Sequence, residues 1–192
     1  MPNSVDYSLL NRQLEALLDT RDWLTNSAQT CAFINQQISD LNWVGFYVQR
    51  QPNVLGLGPF QGQPACHPIP FSKGVCGAAA RQQTTQRVDD VHAVADHIAC
   101  DANSRSELVV PIVVNGHLWG VLDLDSPLNA RFTLQDQAGI EALVATFMRQ
   151  TELPDLTAPW LNDALPRKAH TKTPQAVSTG VFLTITGRTR RI

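Results

Sequence analysis

Net charge, long apolar runs and paired cysteines are all scarce in this 192-residue sequence. Fifteen Lys and Arg against 17 Asp and Glu leave a formal charge of −2, so no basic surface points to nucleic acid. No apolar run approaches the roughly 18 residues of a bilayer-spanning helix, which excludes a membrane role of that kind. The opening MPNSVDYSLLNRQLEALL has no basic start, no apolar stretch and no small-residue cleavage site, so it does not read as a secretory signal. The expected location is cytoplasmic. The four cysteines, Cys31, Cys66, Cys76 and Cys100, contain no CxxC pair, which weakens both a zinc site and a thioredoxin-like motif. Structural disulfides are rare in the cytosol, which leaves core packing, metal binding or redox chemistry for these thiols.

Composition divides the chain near residue 151. Residues 1–151 carry nine Lys/Arg and 14 Asp/Glu, whereas 152–192 carry six and three, with four prolines and the ending GRTRRI. Apart from VFLTI at 181–185, this tail has no sustained period and reads as a largely disordered, solvated extension. The first part is patterned. Leu9, Leu10, Leu14, Leu17 and Leu18 predict an amphipathic helix over about 5–20. Asn26 or Ser27 is the expected cap of a second helix carrying Ala28, Cys31, Ile34 and Ile38. NWVGFYV (42–48) reads as a strand, VLGLGPF and the segment around Cys66 as further short strands, and 74–83 as a helix with Ser72 as its cap. ELVVPIVV (107–114) and HLWGVLDLD (117–125) flank Asn-Gly, a strong hairpin signal. Thr133 caps a last helix to about Met148, with Asp136 in the acidic box position. Helices at both ends of an antiparallel sheet make the expected class α+β.

Asp123 and Asp125 lie two apart in a strand and so share one sheet face, with Leu122, Leu124 and Leu118 on the other. From alternation alone such a face is usually solvated. Here Trp119 and Val121 are expected to share it, and an apolar wall ending in acids is pocket-like. Glu107 depends on register. In a regular two-residue hairpin Val114 pairs with His117 and Glu107 falls opposite Leu124, facing away from the two aspartates. A bulge, or a three-residue loop, puts it opposite Asp125 instead. Cys31, on an apolar helical face, reads as core. Cys66 lies between prolines and Cys100 in the polar stretch DHIACDANSRSE, both poor places for core packing. Histidines 67, 92 and 97 suggest zinc, but their irregular spacing makes metal the weaker reading.

NWVGFY, three cysteines at intervals of ten and 24, HIACDANSRSELVVPI and GVLDLDS ahead of the last helix together resemble the free methionine-(R)-sulfoxide reductases over about residues 5–151. The resemblance implies a GAF-like fold and reduction of free methionine R-sulfoxide to methionine, with thioredoxin as reductant, a homodimer, and no cofactor or metal. It implies that Cys100 is the attacking thiol, Cys66 the resolving cysteine and Cys76 an auxiliary resolver. It also places Glu107, Asp123 and Asp125 around the substrate and Trp43 and Tyr47 in an aromatic wall, and their spacing of four agrees with one strand face.

The chemistry is consistent with this equipment. A thiol attacks the sulfoxide sulfur and becomes a sulfenic acid, a second thiol condenses with it to a disulfide, and an external dithiol reopens that bond. Crowded acids raise one another's pKa, so a carboxyl that stays protonated can pass its proton to the leaving oxygen. Glu107 and Asp125 are assigned to the oxygen, Asp123 to the substrate amine, and Trp43 to the S-methyl group. The polar stretch 90–106 reads as a lid, with backbone amides or Arg105 meeting the carboxylate. Competing readings are a non-catalytic GAF module that binds a small ligand, and a redox sensor. The first predicts an output domain or long coiled coil, which 152–192 does not supply.

Overall fold

Leu10, Leu14 and Leu18 recur every fourth position and form the buried edge of α1 (Tyr7–Leu17), while Leu9 and Leu17 on its flanks stay exposed. Asp6 caps this helix by accepting from the Leu9 N–H. The computed structural model describes residues 5–94 and 101–156. Cys100, His97, the centre of the 90–106 stretch and the tail beyond 156, with VFLTI, lie outside the described residues.

The second helix, α2 (Trp23–Gln37), begins earlier than Asn26 or Ser27, because Asp22 is the cap and accepts from the Thr25 N–H at 2.7 Å. Asn26 and Ser27 are buried inside the helix instead. Asn26 donates to the Thr20 carbonyl and the Thr151 hydroxyl, and Ser27 back-bonds to the Trp23 carbonyl. The chain then runs through β1 (Trp43–Gln51), β2 (Val54–Gly62), β3 (Ile69–Pro70), α3 (Gly74–Gln82), β4 (Gln86–Val88), β5 (Ser106–Val114), β6 (His117–Ser126) and α4 (Leu134–Gln150). Cys66 is not in a strand but in the irregular 63–68 segment before β3. Lys73, not Ser72, precedes α3, and no side chain caps that helix. The last helix matches its sequence signal, with both bonds of the Thr133–Asp136 capping box present.

Six strands form one antiparallel sheet in the order β3-β2-β1-β6-β5-β4. One face carries α1, α2 and α4 over Val44, Phe46, Val48, Leu122 and Leu124, a core that includes Cys31 and Phe147. Burying each such side chain contributes roughly 1.5–3 kcal/mol. The other face carries Trp43, Tyr47, Val109 and Val121, joined by Ile69 of the edge strand β3, under α3. Packing of the chain continues past Thr151. Leu156 is buried, and Trp119 Nε1 donates to the Pro154 carbonyl at 3.1 Å. Among the described residues no helix is long and apolar enough to cross a membrane.

The β5–β6 hairpin turns on Asn115 and Gly116, both at positive φ as a type I′ turn requires. Val114 pairs with His117, Val113 with Leu118, and then the register shifts, so that Ile112 pairs with Gly120. Trp119 is the extra residue of a bulge. This corrects the expected faces on either side of it, since Trp119 packs in the helical core and Leu118 on the α3 side. Trp119 makes edge contacts with Trp23 at 5.8 Å and Phe46 at 6.4 Å, which hold it there. The one-residue shift also brings Glu107 opposite Asp125.

Candidate active site

Strand alternation puts Trp43 and Tyr47 of β1 beside Asp123 and Asp125 of β6, with Trp43 opposite Asp125 in register. The bulge adds Glu107 from β5, and α3 lowers Cys76 onto the same patch. These six side chains, with Asp101, Ser104, Gln63, Pro64, Ala65 and the start of α3, line one cavity. All the described residues that sequence reasoning placed in the site therefore meet there, apart from Cys66 and Arg105. Arg105 is exposed and does not line the cavity. Cys66 is half-buried just behind the wall, where its carbonyl accepts from the Tyr47 hydroxyl at 3.1 Å. It is disulfide-bonded, whereas Cys31 and Cys76 are free thiols.

The aromatic wall is built by a missing side chain. Gly45 lies between Trp43 and Tyr47 on the same face, and a Cβ there would sit 2.3 Å from the Trp43 ring and 2.5 Å from Phe60 Cβ. Without it the indole lies flat along the strand. It stacks on Tyr47 at 5.6 Å and on Phe60 of β2 at 5.5 Å, and its Nε1 donates to the Gln63 carbonyl at 3.1 Å. The result is a rigid apolar plate beside the acids. Phe60 was not singled out from sequence, although its place opposite Gly45 in the hairpin is what completes the stack.

No Lys, Arg or His lines the cavity among the described residues, so nothing there offsets negative charge. The cluster responds by keeping its protons. Burial, then Asp123 and Asp125, push the Glu107 carboxyl well above its ordinary range. Burial, then Asp123 and Asp101, do the same to Asp125, partly offset by a hydrogen bond from Ser104. Asp123 rises only to about 6, because burial is opposed by hydrogen bonds donated by Cys76 and Glu107. The Cys76 thiol donates to Asp123 Oδ2 at 3.2 Å, and burial and the two acids raise it well above the usual thiol range. Asp123 is thus the most readily ionised of the three acids, and Glu107 and Asp125 beside it hold their protons more tightly. Asp123 Oδ1 is buried and has no hydrogen-bond partner among the described residues.

One donor atom each from Cys76, Glu107 and Asp123 lie within 4.8 Å of one another, a spacing that would also suit a cation. Of the histidines in the zinc reading, the two among the described residues, His67 and His92, do not join them. His67 Nδ1 accepts from the Leu57 N–H, and His92 sits against Asp90. Cys31 is fully buried, its Sγ 3.3 Å from the Pro59 carbonyl, as a core thiol should be.

The GAF domain family model matches residues 17–152. Over 140 residues the chain is 46% identical to the free methionine-R-sulfoxide reductase of Escherichia coli, covering 72% of this chain and 84% of that protein. Among solved structures it is similar to the reduced form of fRMsr of Staphylococcus aureus, with TM-score 0.74 and 45% identity over 77% of this chain and 96% of that one. It is also similar to the free methionine-R-sulfoxide reductase of Neisseria meningitidis solved with its substrate. There the TM-score is 0.72 and the identity 40%, over 75% and 87% of the two chains.

Proposed function

We propose a mechanism from one premise: this chain belongs to the free methionine-R-sulfoxide reductase family of GAF-domain proteins. As a member it is an oxidoreductase that reduces free methionine-R-sulfoxide. The observation that carries the mechanism is the cavity-lining cluster of acids beside an aromatic plate, with one carboxylate oxygen that has no partner among the described residues.

The substrate ammonium pairs with Asp123, whose buried Oδ1 has no partner among the described residues and whose charge no described residue of the cavity offsets. The S-methyl group lies against Trp43, where the indole face suits soft sulfur and methyl. The sulfoxide oxygen accepts hydrogen bonds from the acids Glu107 and Asp125. The Cys100 sulfur attacks the sulfoxide sulfur as an acid proton moves onto the oxygen. The sulfur–oxygen bond breaks and the oxygen, protonated by the acid and the thiol proton, leaves as water. Water then adds to the Cys100 sulfur as its bond to the substrate sulfur breaks. Methionine departs with that electron pair, a proton returns to the acids, and Cys100 is left as a sulfenic acid. The Cys66 thiol displaces water from that sulfenic acid, giving a disulfide, and thioredoxin returns both thiols by exchange.

The bound state of Cys66 supports its role as the resolving cysteine. Its neighbour Tyr47 seats the 63–66 segment against the cavity, within one wall of the substrate. Cys76 serves first as a neutral donor to Asp123, and as an auxiliary resolver when Cys66 is lost.

Discrimination for the free amino acid follows from a buried carboxylate awaiting an ammonium. In a peptide that nitrogen is an uncharged amide, and Asp123 would lose its partner. A thioredoxin-coupled NADPH assay with both sulfoxide epimers, free and within a peptide, tests the reading. Turnover of the free R-epimer alone is expected, and equal turnover of the peptide would overturn it.

A further inference from the structure

The mechanism above uses Cys76 only at its margin, yet this free thiol brings a soft ligand atom into a ring of acids. It reaches the cavity from the first turn of α3, while Glu107 comes from β5 and Asp123 from β6. All three residues are buried and all three line the cavity. Among the described residues they are also the only group of three or more His, Cys, Asp and Glu side chains whose donor atoms gather within 4.8 Å.

The distances suit a common ion. A zinc-like cation held tetrahedrally at about 2.3 Å from sulfur and about 2.0 Å from oxygen sets those ligands about 3.5 Å apart. Cys76 Sγ stands 3.2 Å from Asp123 Oδ2 and 3.9 Å from Glu107 Oε1, on either side of that value. The ligands also belong to regular elements rather than loops, the neighbouring strands β5 and β6 and the helix packed over them. A second observation points the same way. Asp123 is only 5% exposed, and its Oδ1 has no hydrogen-bond partner among the described residues. A buried carboxylate oxygen without a donor is costly unless a positive group meets it. Asp101 and Asp125 line the same cavity, and no Lys, Arg or His among the described residues offsets them.

We propose that Cys76, Glu107 and Asp123 form a binding site for a thiophilic divalent cation of the zinc class, which takes the place of the substrate ammonium and blocks the reductase. The blockade rests on the reductase reading, because it needs Asp123 to receive that ammonium; the ion site itself does not. Binding forms one metal–sulfur and two metal–oxygen bonds, and the protons of the Cys76 thiol and the Glu107 carboxyl pass to solvent. No electron moves. The fourth position of the ion is left to water from the cavity. Magnesium and calcium take all-oxygen shells and are poorly matched to a site with sulfur among three ligands.

The test is a cobalt(II) titration of the full-length protein with Cys66 in its disulfide, followed by absorption, with melting temperature as the check on folding. Cobalt stands in for zinc and reports a thiolate ligand through a sulfur-to-metal charge-transfer band. The parent should show that band, saturating at an equimolar amount of cobalt, displaced by zinc and untouched by excess magnesium. Cys76→Ser should lose it. Glu107→Gln and Asp123→Asn should keep the band at saturation but need about a hundredfold more cobalt, at least the upper end of what loss of an outer-shell partner costs. Displacement by magnesium, a band that survives in Cys76→Ser, or carboxylate variants that bind as the parent does would each overturn the site. If Cys76→Ser does not fold, the two carboxylate variants decide alone. In single turnovers of the pre-reduced protein, zinc should raise half-saturating free methionine-R-sulfoxide in the parent and far less in Cys76→Ser, each measured against its own metal-free rate. Equal sensitivity of the two to zinc would overturn the blockade. A metal-free parent that does not turn over removes the reductase reading and the blockade with it, while the cobalt spectra still decide the ion site.

Discussion

Replacing Asp123 with asparagine should make the fold's stability less dependent on pH, by an amount the cluster itself sets. The Asp123 carboxyl rises from 3.8 to about 6 in the folded protein, chiefly through burial. A raised acid pKa means the folded state holds a proton that the unfolded chain has released. Its contribution is fully favourable below about pH 4 and is lost as pH climbs through about 6. Roughly two units at 1.36 kcal/mol each give about 3 kcal/mol of stability lost across that window. Asparagine cannot ionise, so Asp123→Asn should gain about 3 kcal/mol on its parent between about pH 4 and pH 8. An amide in place of unpartnered Oδ1 has a cost of its own, but it is the same at both pH values and cancels in the comparison. Urea unfolding of both proteins at each pH, with the disulfide state held fixed, measures the difference. A free-energy gap between the two proteins that stays constant from acid to alkaline pH would refute the claim that Asp123 ionises in a cavity whose described lining holds acids but no cation.

Gly45→Ala should lift the Trp43 ring off the strand, since the new Cβ would stand 2.3 Å from it. Weaker seating of the S-methyl group should raise half-saturating substrate about tenfold, the scale of one aromatic contact, and change tryptophan fluorescence. Cys66→Ser should still yield about one methionine per site in a single turnover, because the resolving thiol acts after the oxygen has left. Its residual steady-state turnover with thioredoxin should vanish in Cys66→Ser/Cys76→Ser, and complete loss of the first turnover would contradict the assignment. Truncation after Leu156 should leave melting temperature and activity unchanged. Cutting back to Thr151 removes buried Leu156 and the Trp119–Pro154 bond and should cost about 3 kcal/mol, seen as a lower midpoint in urea.

Features governed by neighbours in sequence were readable before any coordinates. The Thr133–Asp136 capping box, the Asn115–Gly116 turn and the four-residue spacing of Trp43 and Tyr47 are of this kind. The start of α2 was misplaced by a turn, because Asp22, Asn26 and Ser27 are all competent caps and only the burial of the latter two against Thr151 and Trp23 separates them. β4 went unseen, since Gln86–Val88 is too short to show a period. The bulge at Trp119 marks the larger boundary. Pairing next to the turn is local, but the shift beyond it comes from an indole that packs against Trp23 and Phe46 on distant elements. That shift decides whether Glu107 faces the aspartates. Contacts such as Cys76 with Asp123, 47 residues apart, and Asn42 with Ser104, 62 apart, leave no trace in spacing or periodicity.

Whether the Cys100 sulfur takes the oxygen from the substrate is measured by mixing pre-reduced protein with excess free methionine-R-sulfoxide, without thioredoxin, and counting the methionine formed by the parent and by Cys100→Ser. The parent should release about one methionine per site and end as a disulfide, and Cys100→Ser should release none while melting as the parent does. Stoichiometric methionine from Cys100→Ser would contradict the mechanism.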